Sequence, residues 1–168
     1  MPIVSLTTDF GDKDYSVSAI KASLKIEIPD VQIIDISHLV SPFNHTEAGY
    51  IIKNAYTAFP EGSIHILGVD SERTPETSHV AMRLNGHYFI GADNGIFSLI
   101  AQGTKPEKIV EINIHENLVS SFPVLDVFVK VAGHLARKGQ LEIIGKPLKT
   151  IKQLTDIKPV VPPEGNII

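Results

Sequence analysis

The apolar positions of this chain change period several times, and each change marks an element. Ile3, Val4, Leu6, Thr7 and Thr8 form a β-branched run that stops at Asp9-Phe10-Gly11-Asp12. From Tyr15 to Ile26 the apolar residues Val17, Ile20 and Leu24 recur at helical spacing, with Lys21 and Lys25 on the other side. Pro29-Asp30 ends that helix, and Val31 to Ile36 reads as a second buried strand. Asn44 to Glu47 fits a variant capping box, which predicts a helix with Ala48, Ile51, Ile52 and Ala55 on one stripe, ended by Pro60-Glu61-Gly62. Ser63 to Val69 is a third strand. Val80 to Leu84 and His87 to Ile90 flank Asn85-Gly86, a strong hairpin signal. A short helix is predicted from Ile96 to about Ala101 and a strand from Lys108 to Ile114. Val124, Val127, Phe128, Val131, Ala132 and Leu135 then make a helical stripe closed by Lys138-Gly139.

Strands alternating with helices predict an α/β fold, a mostly parallel multi-stranded sheet flanked by helices. Beyond Gln140 the pattern weakens, and Pro147, Pro159, Pro162 and Pro163 predict extended chain. We expect residues 1–150 to form the α/β domain and 151–168 to be a linker leading into a second domain. The apolar, mid-pattern end at Gly165-Asn-Ile-Ile168 motivates that expectation.

Composition narrows the function classes. A chain of 168 residues with 43% hydrophobic and 20% charged content can bury one substantial core. No apolar run approaches a membrane span, and Met1-Pro2 leading directly into a strand is no signal peptide. The absence of cysteine excludes disulfides, thiolate metal sites and a cysteine nucleophile, and the expected location is the cytoplasm. A net charge of −4 without a basic cluster argues against a nucleic-acid surface. Seven histidines occur, but none in an H-x-x-x-H pair or a cluster, so no metal site is expected.

The candidate chemistry lies where strands end. Asp9 follows the first strand, Asp70 the third, and Asp93-Asn94 the hairpin; parallel strands would bring such loops to one edge, where open α/β sheets bind ligands. Phe43 in Pro42-Phe43-Asn44, and Ser121-Phe122 before the last helix, add aromatic surface. Carboxylates accept hydrogen bonds from hydroxyls and aromatic rings pack on flat groups, so the set suits a nucleoside. The alternatives are plain: Asp9 and Asp70 can close their turns by accepting N–H groups, and the phenylalanines can be core residues. No G-x-G-x-x-G or Walker A motif is present to cradle phosphates.

Thr7-Thr8-Asp9-Phe10-Gly11, Asp35-Ile-Ser-His38, Gly68-Val69-Asp70, Asp93-Asn94-Gly95 and Asp126-Val-Phe128 ahead of Ala132-Gly-His-Leu-Ala136 occur in this order. Together they resemble the S-adenosylmethionine (SAM) hydroxide adenosyltransferases, relatives of fluorinase and chlorinase. The resemblance covers nearly the whole chain. It implies an amino-terminal α/β domain followed by a smaller β-barrel domain. It also implies a homotrimer, with SAM bound between one subunit's first domain and its neighbour's second. SAM would be substrate or ligand, with no further cofactor. Asp9 would match the carboxylate that holds the ribose diol, with Phe10 beside it. Phe43 sits where fluorinase has a tryptophan, and Phe122 matches a phenylalanine of the pocket wall. Asn94 and Ser121 complete the candidate binding set.

This sequence also departs from the family pattern. The hydrolysing members carry an Asp-Arg-His set, with the aspartate opening an Asp-Pro-Gly-Val-Gly-Thr loop. Here Asp70 is followed by Ser71-Glu72-Arg73-Thr74-Pro75-Glu76-Thr77. Thr77 falls at the arginine position, the histidine falls at Pro123, and Leu125-Asp126 replaces an Arg-Asp pair. Arg73 is the only arginine close by, so Asp70 and Arg73 are the catalytic candidates, since a loop of this length can fold Arg73 back toward Asp70. Two functions follow from the resemblance: hydrolysis of SAM at the ribose C5′ by water or hydroxide, or SAM/adenosine binding without turnover.

Overall fold

In a computed structural model, residues 1–115 and 118–155 are described, and they form an α/β domain around one seven-stranded sheet. The strands are β1 (Ile3–Thr8), β2 (Gln32–Ser37), β3 (Ile64–Gly68), β4 (His79–Leu84), β5 (His87–Ala92), β6 (Lys108–Ile112) and β7 (Gly145–Pro147). Their order is β2-β1-β3-β5-β4-β6-β7. Strands β2, β1, β3 and β5 run parallel, and β4, β6 and β7 extend the sheet by antiparallel pairing. The mostly parallel core therefore carries an antiparallel flank made by the predicted hairpin. Asn85 and Gly86 both have positive φ (50° and 77°), as a two-residue hairpin turn needs to match strand twist.

Period-two alternation along the strands builds two cores. Ile64 and Ile66 of β3, Ala81 of β4 and Ile90 of β5 face helices α1 (Ser16–Glu27) and α4 (Val129–Ala136). Leu67, Met82 and Phe89 point the other way, onto α2 (His45–Ala55) and α3 (Ile96–Ile100). Because both faces are covered, β3 is buried along its whole length. Helices α2 and α3 meet closely at Gly49, where an added Cβ would come within 2.8 Å of the Leu99 Cβ.

The connection order positions the ligand crevice. The chain leaves β1, passes through α1 to β2 on one side, then returns through α2 to β3 on the other side of β1. Helices α1 and α2 consequently cover opposite faces. The carboxyl ends of β1 and β3 are thus a topological switch point, the place where open α/β sheets leave a crevice. Gly68 lets those ends close: an added Cβ would meet Thr8 Cγ2 at 2.9 Å.

Three expectations are corrected. Strand β2 is an edge strand, with Gln32, Ile34 and Asp35 exposed, because only β1 pairs with it. The chain after Gln140 is structured at first, forming a short helix α5 (Leu141–Ile144) and then β7. Pro147 is tolerated there because β7 is the last strand of the sheet. The last long helix opens with a π-helical turn, Val124–Phe128, rather than regular α-helix. The helix closes at the expected Lys138-Gly139 stop, with Lys138 in the left-handed conformation (φ 65°). Residues 156–168 of the expected linker lie outside the described residues.

Candidate functional site

The edge formed by the ends of β1 and β3 gathers most of the candidate residues. Strand β1 stops at Thr8 because Asp9-Phe10-Gly11 turns away, Gly11 taking φ 73° and donating its N–H to the His38 carbonyl at 2.8 Å. Thr8 Oγ1 lies 2.9 Å from His38 Nδ1, which ties the β1 turn to the loop after β2. Asp9 Oδ2 accepts the backbone N–H of Phe43 at 3.0 Å. Phe43 has φ 58°, and the residue is 68% exposed, so it is not a core residue. Phe10 and Phe122 pack edge to face with ring centroids 5.6 Å apart, joining the β1 turn to the loop before the π turn.

Helix α2 opens directly after Phe43. The Asn44 side chain accepts the Glu47 N–H at 3.0 Å, as a capping residue should. The reciprocal half of the box is absent: the Glu47 carboxylate instead accepts the Ser41 N–H at 3.2 Å. Both contacts fix the loop carrying Phe43. The next residue, His45, sends its imidazole across to the end of β3, where Nε2 lies 2.8 Å from Asp70 Oδ2.

Asp70 sits in a strained turn. Its φ is 46°, a left-handed conformation that aspartate adopts more readily than most residues but at a cost. Asn94 holds the turn: Nδ2 donates to the carbonyls of Val69 and Asp70, each at 3.0 Å, while Oδ1 accepts the Ile96 N–H at 3.2 Å. Asn94 is buried with both ends of its amide engaged, so its place in the fold is to brace Asp70.

Arg73 is not brought to Asp70. The loop doubles back through a Thr74–Thr77 backbone bridge, and the exposed guanidinium donates to the His115 carbonyl at 3.4 Å. The acid–base partner of Asp70 among the described residues is His45. Ser121 is exposed beside Phe122, whose N–H is held by Ser120 Oγ at 3.0 Å. The edge therefore unites Asp9, Phe43, His45 and Asp70, with Phe10 and Phe122 alongside.

Sequence reasoning missed His45. The available signal was its position, directly after a capping asparagine and an aromatic residue and one helix away from a strand-end carboxylate. It also missed two buried histidine pairs. His79 Nε2 donates to the Ser71 carbonyl at 2.7 Å while its Nδ1 lies 2.8 Å from His115 Nε2, directly beneath the Asp70 loop. Burial pushes His79 down to about 4. On the opposite part of β3, His65 lies between Ser5 Oγ at 2.6 Å and His87 Nδ1 at 3.0 Å, and burial lowers it to about 3. Among the described residues, no group of three or more histidine, aspartate or glutamate side chains is arranged to hold a metal ion. A cleft of about 870 Å³ lies at the other edge of the sheet beside Pro2, Glu27, Gly62 and Arg137, away from this chemistry.

An open α/β sheet that carries two carboxylates and exposed aromatic surface at its switch point has the architecture in which such sheets leave a crevice for ligands. Residues 4–145 match the family model described as SAM hydroxide adenosyltransferase N-terminal domain, and the chain belongs to that family. It is 33% identical over 141 residues to an (R)-S-adenosyl-L-methionine hydrolase of Methanocaldococcus jannaschii, covering 80% of this chain and 53% of that protein. A fluorinase of Actinopolyspora mzabensis is 23% identical over 195 residues, covering 99% of this chain and 65% of that protein. Among solved structures, an uncharacterized conserved protein from Thermotoga maritima superposes with a TM-score of 0.86 at 33% identity, covering 96% of this chain and 64% of that one. The chain thus spans about half the length of the Methanocaldococcus jannaschii relative and under two thirds of the Thermotoga maritima protein. No helix among the described residues is long and apolar enough to cross a membrane.

Proposed function

We propose that this chain provides the nucleoside-binding α/β part of a SAM hydrolase, in which water attacks the ribose C5′ of SAM and releases adenosine and methionine. The observation that carries the reading is the juxtaposition of Asp9 and Asp70 at the ends of adjacent parallel strands, with Phe43 bonded to Asp9 and His45, two residues on, to Asp70. Asp9 receives the ribose diol, Phe43, Phe10 and Phe122 supply apolar surface for the ribose and base, and Asp70 faces the reacting carbon. The sulfonium makes methionine a good leaving group, so the protein mainly orients and partly desolvates the nucleophile. No further cofactor enters the reaction. The Methanocaldococcus jannaschii hydrolase, 33% identical over 141 residues against 23% over 195 for the Actinopolyspora mzabensis fluorinase, supports this reading.

A second reading, SAM or adenosine binding without turnover, is favoured by Thr77 and Pro123, which stand where the hydrolysing members carry arginine and histidine. Incubating the full-length protein with SAM and measuring adenosine and methionine decides between them. Release of both products supports hydrolysis. Binding by calorimetry without product supports the second reading, and no binding sinks both. The same proposal includes a homotrimer in the cytoplasm, for which sedimentation of the full-length protein tests the assembly.

A further inference from the structure

We infer that His45 and Asp70 act as a catalytic dyad, with His45 Nδ1 taking the proton of the attacking water. This inference rests on the hydrolase reading. Water is a poor nucleophile at neutral pH, and an imidazole is the side chain best matched to accept its proton there. In the dyad, Nε2–H donates to Asp70 Oδ2 at 2.8 Å, which fixes the tautomer and leaves the Nδ1 lone pair as the base. Nδ1 makes no hydrogen bond among the described residues. The pair is partly exposed, with 26% of the His45 and 36% of the Asp70 side chain accessible, so a water can reach it. A carboxylate that orients a histidine and balances the charge of its cation is the logic of the serine-hydrolase triad, here without the serine.

Three features show that the contact is built. The Asn44 cap fixes the first turn of α2, from which His45 projects. Asp70 is held in its left-handed turn by both amide protons of Asn94. Phe43, two residues before His45, is itself held at positive φ by Asp9. The dyad is therefore tied to the carboxylate proposed to bind the ribose. In the step itself, the water oxygen forms a bond to C5′ and one water proton passes to Nδ1. The C5′–S bond breaks with its electron pair going to sulfur, and methionine leaves as a neutral thioether. The imidazolium then returns its proton to solvent.

The test compares wild type, His45→Gln and His45→Ala in the full-length protein, with turnover of SAM, SAM affinity and thermal unfolding measured on each. Glutamine keeps a donor for Asp70 but cannot take the proton. Both variants should lose turnover by about 100-fold or more, the usual share of a general base. SAM affinity should stay within a few-fold, and added imidazole should restore part of the His45→Ala rate. A purely structural clamp would show no imidazole rescue. Turnover unchanged by His45→Gln overturns the dyad and leaves the hydrolase reading intact. Wild-type protein that binds SAM but never turns it over overturns both.

Discussion

Asp9 Oδ2 accepts the Phe43 N–H at 3.0 Å, across 34 residues of sequence, and this bond ties the end of β1 to the start of α2. One carboxylate oxygen therefore shapes the pocket wall, holding Phe43 in its left-handed turn. The other, Oδ1, has no partner among the described residues and is the atom a ribose hydroxyl would meet. On the proposed reading, Asp9 would combine turn closure, which it makes through Oδ2, with ligand contact through Oδ1.

Asp9→Asn should weaken adenosine or SAM binding by about 1.5–3 kcal/mol, the range for a hydrogen bond to a charged group, or about 10- to 150-fold in affinity. An asparagine oxygen can still accept the Phe43 N–H, so the fold should change little. Calorimetry on the full-length protein checks this. Equal affinity for wild type and variant would refute the ribose assignment.

How much of this was legible beforehand depends on sequence distance. The acidic turn after β1, the Asn44 cap and the Asn85-Gly86 hairpin are each decided within a few residues, and each was readable. Exposure of β2 was not, because an edge strand and a central one carry the same apolar run, and only the order of the whole sheet separates them. Strand β7 was hidden by Pro147, which normally argues against a strand; its pairing with β6 depends on the close approach of Gly145, where an added Cβ would lie 2.0 Å from the Glu111 carbonyl oxygen. The His45–Asp70 contact spans 25 residues and two elements, so neither residue's local pattern announces it. A loop of this length could have folded Arg73 back toward Asp70, but it doubles back through the Thr74–Thr77 bridge and Arg73 donates to the His115 carbonyl instead.

Acid should destabilise the fold through its buried histidines. Burial lowers His65 from 6.5 to about 3, with the neighbouring His87 adding to the shift. Burial lowers His79 from 6.5 to about 4, opposed by its hydrogen bond to the Ser71 carbonyl and aided by His115 and Arg73. Both folded values lie below the unfolded one, so between them the unfolded chain binds more protons. Stability is therefore fully present above about pH 6.5 and is lost as the pH falls toward the folded values, by up to about 1.4 kcal/mol per pH unit for each histidine. Urea midpoints should be level from about pH 7.5 to 6.5 and fall from there to about pH 5, and His65→Gln should flatten the slope. A midpoint independent of pH over that range would show that these imidazoles are not buried neutral.

Asp70 offers the sharpest separation of catalysis from stability. Asparagine tolerates φ 46° about as well as aspartate and leaves the backbone carbonyls that Asn94 holds, so Asp70→Asn should fold with a melting temperature near wild type. It removes the negative charge beside His45, however, and with it the group that steadies the imidazolium and selects its tautomer. Turnover of SAM should then fall by about 100-fold or more, by the same reasoning that applies to an oriented general base. Arg73→Ala should give a smaller loss, since its guanidinium is directed at the His115 carbonyl rather than at Asp70. With threonine at residue 77 and proline at residue 123, no arginine or histidine stands at those family positions, and wild-type turnover should itself be slow. Rates of adenosine release from the full-length protein and the two variants provide the measurement. Rapid hydrolysis surviving both substitutions would place the reactive groups elsewhere in the molecule.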